Sequence, residues 1–318
     1  MQLVRFRLSA LLVLVVLAAA CGAPGGAPTL APASAPVGGY PGWPPAVRSF
    51  EIIPIPVSTE LVVGQNRLLV NLIDKTNEPL ASADLPVEFR LYNLAADATN
   101  PAVTVAGTYL QTIAGRPGLY RASVTFDKAG EWGLEAVATA TDGTKRSGRF
   151  TFDVAQTGST PAIGAQAPTS ETPTAQTSTD VSKISTDDDP DADFYKVSEP
   201  DALAAHDPFV IIFATPAFCK TATCGPALDL TKSVAADYKG RLTFIHVEPY
   251  KLQIADGHLQ PVLTSDNLPV PVDATNIWGL TTEPYIFVVD SAGKVAAKFE
   301  GIASDQELRA AFDAVATK

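Results

Sequence analysis

Cysteine is scarce in this chain of 318 residues: it has three, along with three histidines and one methionine. So few thiols exclude a disulfide-dense scaffold and a four-thiolate zinc site. Basic charge is also short. Lys and Arg number 23 against 34 Asp and Glu, a net charge of −11. An acidic surface repels phosphate backbones, so nucleic acid is not an expected partner. The apolar run Leu11–Ala20 is shorter than the roughly 20 residues a membrane-spanning helix needs. Apolar residues are plentiful overall: at 46% of the chain they can fill real cores, which excludes wholesale disorder. At about 150 residues per domain, the length suggests two folded units.

Residues 1–20 read as a secretory signal. Arg5 and Arg7 supply a cationic start, Leu11–Ala20 an apolar segment, and Ala18–Ala20 a small-residue end. Cleavage near Ala20 by an ordinary signal peptidase is one reading. The stretch Leu17-Ala18-Ala19-Ala20-Cys21 also resembles a bacterial lipobox. That resemblance implies acylation of Cys21 and a lipid-anchored protein on the extracytoplasmic side of the cell membrane. It leaves Cys219 and Cys224 as a possible pair.

Composition then divides the chain. Residues 21–49 hold seven prolines and six glycines, which predicts a tether. Residues 50–155 read as all-β. Tyr120, Ala122, Val124 and Phe126 alternate with Arg121, Ser123 and Thr125, and Trp132, Leu134, Ala136 and Ala138 repeat the pattern beyond a turn at Lys128–Gly130. Short alternating strands suggest a sandwich. The run through Val63–Arg67, Gly118–Tyr120 and Gly130–Trp132 resembles the immunoglobulin-like YtkA-type domains of bacterial surface proteins. Residues 156–190 carry thirteen Ser or Thr, four Pro and the run Asp187–Asp189, which predicts a solvated linker.

Residues 191–318 alternate strands and helices. Phe209–Phe213, Leu242–Val247, Tyr285–Val289 and Val295–Phe299 read as strands. Helices are expected over Glu199–His206, Pro226–Tyr238 and Asp305–Ala316. This order gives a mixed sheet with helices on both faces. Phe213–Cys219, Cys224-Gly225-Pro226 and Thr282-Glu283-Pro284 followed by Tyr285–Asp290 resemble the thioredoxin family. The fold class expected is therefore multidomain: an all-β immunoglobulin-like sandwich followed by an α/β thioredoxin-like domain.

The resemblance implies a redox site at Cys219, Cys224 and Pro284, with Pro284 in the cis form facing the thiols. Ala227 stands where the family's second cysteine is usual, so the motif here is Cys-x4-Cys. Cys224 lies beside the start of a helix, whose dipole favours a thiolate. It is the expected attacking thiol, with Cys219 resolving and Glu283 with Pro284 shaping the partner groove by backbone contacts. The function expected is thiol–disulfide exchange with extracytoplasmic protein thiols or disulfides, without a cofactor or metal.

Two alternatives stay open. Two thiolates and a histidine suit copper, and copper chaperones of thioredoxin-like fold use Cys-x3-Cys-Pro with a distant histidine. The Cys219–Cys224 pair is alternatively an inert bridge in a surface lipoprotein. Of the histidines, His246 alternates within a strand as a core residue does, His258 lies in a polar loop, and His206 ends a helix.

Overall fold

Strands of four to ten residues with an apolar inner face build the larger sheet. The computed structural model describes residues 39–43, 52–111, 113, 115–176 and 178–317. In chain order the first strands are β1 (Ile53–Pro56), β2 (Gly64–Ile73), β3 (Val87–Asn93), β4 (Val103–Leu110), β5 (Leu119–Phe126), β6 (Gly130–Thr139) and β7 (Lys145–Val154). They form one antiparallel sheet in the order β1-β2-β5-β4-β3-β6-β7. Leu68, Val70 and Leu72 of β2, Phe89 and Leu91 of β3, the alternating set of β5, and Trp132 and Leu134 of β6 share its core.

This corrects the expected two-sheet sandwich. Strand β4 pairs with β3 through Val103–Gly107 and with β5 through Thr108–Leu110, so it joins the two halves into one sheet. Gly107 marks the change of partner: a Cβ there would come within 2.9 Å of the Phe89 ring. The sheet curls until its ends nearly meet. Gly148 of β7 lies against the Ile52 carbonyl ahead of β1, where an added Cβ would be 2.3 Å away. β4 was not legible as a strand because its outer residues are Thr104, Ala106 and Thr108, and its inner side is interrupted by Gly107.

Further along, β8 (Phe209–Phe213), β9 (Thr243–Val247), β12 (Tyr285–Val289) and β13 (Val295–Glu300) form a second sheet in the order β13-β12-β8-β9. Only the β8–β9 pair is parallel. Between them β10 (Leu252–Ala255) and β11 (His258–Pro261) make a separate hairpin in what reads as a polar loop. The helices are short: α1 (Ser178–Val181), α2 (Glu199–Ala205), α3 (Cys224–Ala235), α4 (Asp273–Ile277) and α5 (Asp305–Val315). One face of the second sheet packs Val210, Ile212, Ile286 and Val288 against Leu228, Leu308 and Phe312. The other packs Phe213 and Phe287 against Ala202 and Trp278.

The expected separate α/β domain of thioredoxin type is not what the chain forms. The protein is mostly β, 36% strand against 17% helix, and residues 34–318 make one compact unit rather than two. The Ser/Thr-rich segment is the reason. It adds to the edge of β13, where Gly164 N–H donates to the Val295 carbonyl at 2.8 Å and Val295 N–H to the Ala165 carbonyl at 2.9 Å. Farther on, Ser170 and Thr172 are buried. Asp187 pairs with Lys232 of α3 at 2.7 Å, with both side chains largely buried, so the acidic run is not simply solvated.

Direct contacts also tie the two sheets together. Arg67 of β2 bonds Glu307 of α5 at 2.7 Å, and Glu60 bonds Lys298 of β13 at 2.9 Å. Part of the Pro/Gly-rich tether is held as well: Trp43 packs against Tyr92, with ring centroids 4.9 Å apart and planes tilted by 56°.

Candidate active site at a two-thiol loop

Five fully buried residues make β8, and its end delivers the chain to a loop at the base of α3. Pairing of β8 with β12 sets Tyr285 opposite Phe213. Pro284, just before Tyr285, therefore lies at the same sheet end as the Ala214–Thr215 exit. The Glu283–Pro284 bond is cis. The loop turns twice. Phe218 N–H reaches the Thr215 carbonyl at 3.2 Å, and Ala222 N–H the Cys219 carbonyl at 3.3 Å. Ala222 adopts a left-handed φ of 57° to complete the second turn.

Both cysteines are free thiols, Cys219 half-buried and Cys224 fully buried in the core. Cys224 is the first residue of α3. Its backbone N–H does not serve its own sulfur but donates to Cys219 Sγ at 3.2 Å. Thr221 Oγ1 lies 3.2 Å from the same sulfur. The N-cap residue Thr223 makes no side-chain cap bond to the helix, and its hydroxyl meets Thr221 at 2.6 Å instead. Cys219 Sγ thus occupies the place of a capping acceptor, where unpaired amides and the helix dipole favour negative charge.

The two thiols are pulled apart in acidity. The Cys224 thiol donating to it, then Thr221 and the Cys224 and Thr223 amides, hold Cys219 down at about 4 against the penalty of partial burial. Cys224 is pushed far up, first by its bond to Cys219 and then by burial. This reverses the expected order of acidity. The dipole argument was sound, but the loop folds Cys219 back over the helix start, and the sulfur of the helix's own first residue points into the core.

Two groups missed in the sequence stand beside the pair. Glu283 was assigned only a backbone role. Its carboxyl accepts the Tyr250 hydroxyl at 2.8 Å. It is held above the ordinary carboxylate range first by burial and then by the Cys219 charge. Tyr250 is pushed up by burial and by Glu283, and it also senses both sulfurs. The second group is Thr215. It is fully buried, its Oγ1 has no hydrogen-bond partner, and its backbone N–H favours a thiolate on Cys224. An acidic residue directly before a proline that opens an apolar strand was the available signal for Glu283. None existed for Tyr250, which is 33 positions away.

A second set of bonds fixes the loop from outside. Thr186, within the Ser/Thr-rich segment, accepts the Ala217 N–H at 3.2 Å and donates to Glu248 Oε1 at 2.6 Å.

None of the histidines joins the thiols. His246 is buried, with Nε2 3.0 Å from the Ala214 carbonyl and Nδ1 2.7 Å from the Tyr195 hydroxyl. A carbonyl only accepts, so Nε2 carries the proton and Nδ1 accepts from Tyr195. His258 is exposed at the start of β11, and His206 caps α2 in a left-handed conformation. Among the described residues no three His, Cys, Asp or Glu side chains gather as a metal site. The expected lipidation site, Cys21, lies outside the described residues.

The chain matches no protein-family model, and no curated protein or solved structure is significantly similar to it.

Proposed function

We propose that the chain is a thiol–disulfide oxidoreductase acting through Cys219 and Cys224, anchored by lipid at Cys21 on the extracytoplasmic side of a bacterial membrane. One observation carries the redox part: a half-buried sulfur capped by the helix amide of a second, buried cysteine. This is the arrangement of a nucleophile and its resolving thiol. The Cys219 thiolate attacks one sulfur of a partner disulfide. A Cys219–partner bond forms, and the other partner sulfur leaves as thiolate. Cys224 then gives its proton to that departing sulfur and attacks Cys219 Sγ. The 219–224 disulfide forms and the second partner thiolate leaves. Two electrons pass from the pair to the partner, and the reverse sequence oxidises a partner dithiol. The anchor rests on the lipobox resemblance, and no helix among the described residues is long and apolar enough to cross a membrane.

Copper binding is the weaker reading, because His246, the histidine closest in the fold to the Cys219 loop, has both ring nitrogens committed.

The test is the reduction potential of the 219–224 pair, from equilibration with glutathione buffers and mass spectrometry of trapped thiols. A value above about −300 mV is expected for an exchanging pair. A lower one would mark an inert structural bridge and end the proposal.

A further inference from the structure

Next to the thiol loop the fold leaves a cavity of about 200 Å³, lined by Pro173, Ile184, His246, Glu248, Tyr250 and Val272 among others. Most of its wall is apolar. Glu171 also lines the cavity but is exposed, and Glu248 is the buried carboxylate that needs explaining. Only 6% of the residue is exposed. Its Oε1 accepts the Thr186 N–H at 2.7 Å and hydroxyl at 2.6 Å, while Oε2 is buried with no partner. A buried carboxylate oxygen without a donor is costly, and such groups are rare.

Among the described residues no cation lies within ion-pair distance of it. Lys183 also lines the cavity but is exposed and bound to Asp180 at 3.0 Å. His246 shares the wall, and burial drives it toward the neutral form.

The cavity adjoins the reacting pair through two routes. Tyr250 lines it and donates to Glu283, whose charge acts on Cys224 and which itself feels the Cys219 charge. Thr186, which bonds Glu248, also holds the Ala217 N–H two residues ahead of Cys219. A ligand for this space needs a long apolar stem for the walls and a positively charged donor at its tip. Lysine and arginine side chains have that form.

Building on the thiol–disulfide reading, we propose that the cavity is a specificity subsite that takes a lysine or arginine side chain of the partner polypeptide close to its disulfide. The unpaired Glu248 carboxylate gains its missing donor there, and the apolar walls cover the stem. The acidic net charge of the protein, −11, favours the same partners at long range.

The experiment uses short peptides carrying one cysteine as a mixed disulfide, with lysine, norleucine or glutamate placed one to four residues away. Exchange with the full chain is followed by stopped flow. Hydroxyethyl disulfide serves as a small neutral reference. Cysteine-free versions are tested by fluorescence polarisation, so binding is read without turnover. At one position lysine should exchange and bind about tenfold better than norleucine. Glu248→Gln, which keeps the oxygen that Thr186 needs, should abolish that preference, read as the ratio of lysine to norleucine rates within the variant. Val272→Phe, which fills the cavity, should abolish it too and leave the reference rate unchanged.

Equal treatment of lysine and norleucine at every position overturns the subsite, as does a lysine preference that survives in Glu248→Gln. Failure of the wild type to react with hydroxyethyl disulfide overturns the redox reading instead. The polarisation arm then still decides whether the cavity binds lysine.

Discussion

The backbone N–H of Cys224 donates to Cys219 Sγ at 3.2 Å, so the helix that one cysteine begins stabilises charge on the other. The relationship explains why two thiols five residues apart differ in character. The half-buried one has amides and a hydroxyl around its sulfur. The buried one has the core.

Cys219 should therefore be the acidic thiol. It is held at about 4, whereas a free thiol titrates near pKa 8.5. Alkylation rate against pH checks this in single variants. Cys224→Ser, which retains a donor to Cys219, should react with a midpoint at least about two units below the free value. Cys219→Ser should react slowly, with a midpoint above it, because burial opposes the Cys224 thiolate. The reverse order would cancel the assignment of nucleophile and resolving thiol.

Glu283→Gln should make Cys224 more acidic and leave Cys219 unchanged. Like charges oppose each other, and the Glu283 carboxylate disfavours a thiolate on Cys224 while the Cys219 charge holds Glu283 up. Cys219, held at about 4, loses its proton while the raised Glu283 carboxyl still keeps its own, so its midpoint should not move. Removing the charge should lower the Cys224 midpoint by roughly 0.5–1 unit, read in the Cys219→Ser background. Ultraviolet titration of the thiolate measures it. An unchanged Cys224 midpoint would place Glu283 outside the electrostatic reach of that sulfur.

Stability should fall as pH rises because of Glu199. This carboxyl is fully buried at the start of α2. It accepts from Ser170 and, at 3.1 Å, from Trp278 Nε1. Burial raises it from 4.5 to about 7, with Ser170 and Trp278 pulling the other way. A raised carboxyl makes the folded state bind its proton more tightly than the unfolded chain does. The contribution is fully present below about pH 4.5 and is lost as pH rises through about 7. It is on the order of 3 kcal/mol. Urea unfolding at several pH values should show this slope in the wild type and not in Glu199→Gln. Parallel slopes would mean that Glu199 does not titrate in this window.

Arg67 should hold the two sheets in one cooperative unit. Its guanidinium bonds Glu307 at 2.7 Å and the carbonyls of Glu300 at 3.0 Å and Ile302 at 2.8 Å. Glu307 also closes the capping box of α5 with Ser304. Arg67→Ala leaves Glu307 buried with less compensation and should cost about 3–5 kcal/mol. Lysine should rescue poorly, since it lacks the planar fork. In denaturant, the single transition of the wild type should split in Arg67→Ala. A variant that still unfolds in one step at the original midpoint would show that the seam is held elsewhere.

Local pattern was sufficient for some of this. Alternation in Tyr120–Phe126 and Trp132–Ala138 marked inward faces, because a strand exposes every second side chain to one environment. The continuous apolar runs Phe209–Phe213 and Tyr285–Val289 marked strands covered on both faces. The pair Cys219 and Cys224, with a proline at each side of the groove, marked where chemistry is possible. These signals are carried by near neighbours in sequence, so the sequence alone determined them.

Tertiary structure decided everything that depended on partners far along the chain. Whether two half-sheets stay apart rested on β4 changing partners, and a strand's neighbours are not written in its own residues. Whether the Ser/Thr-rich segment floats or packs rested on Glu60, Glu199 and Glu248, each of which supplies acceptors from a distant position. Which thiol is acidic rested on a turn through Ala222 that brings one sulfur over the helix amides and leaves the other in the core. Hydrogen-bond direction and desolvation act through space over a few ångströms. Composition and spacing therefore located the thiols, and only the folded loop set which is the more acidic.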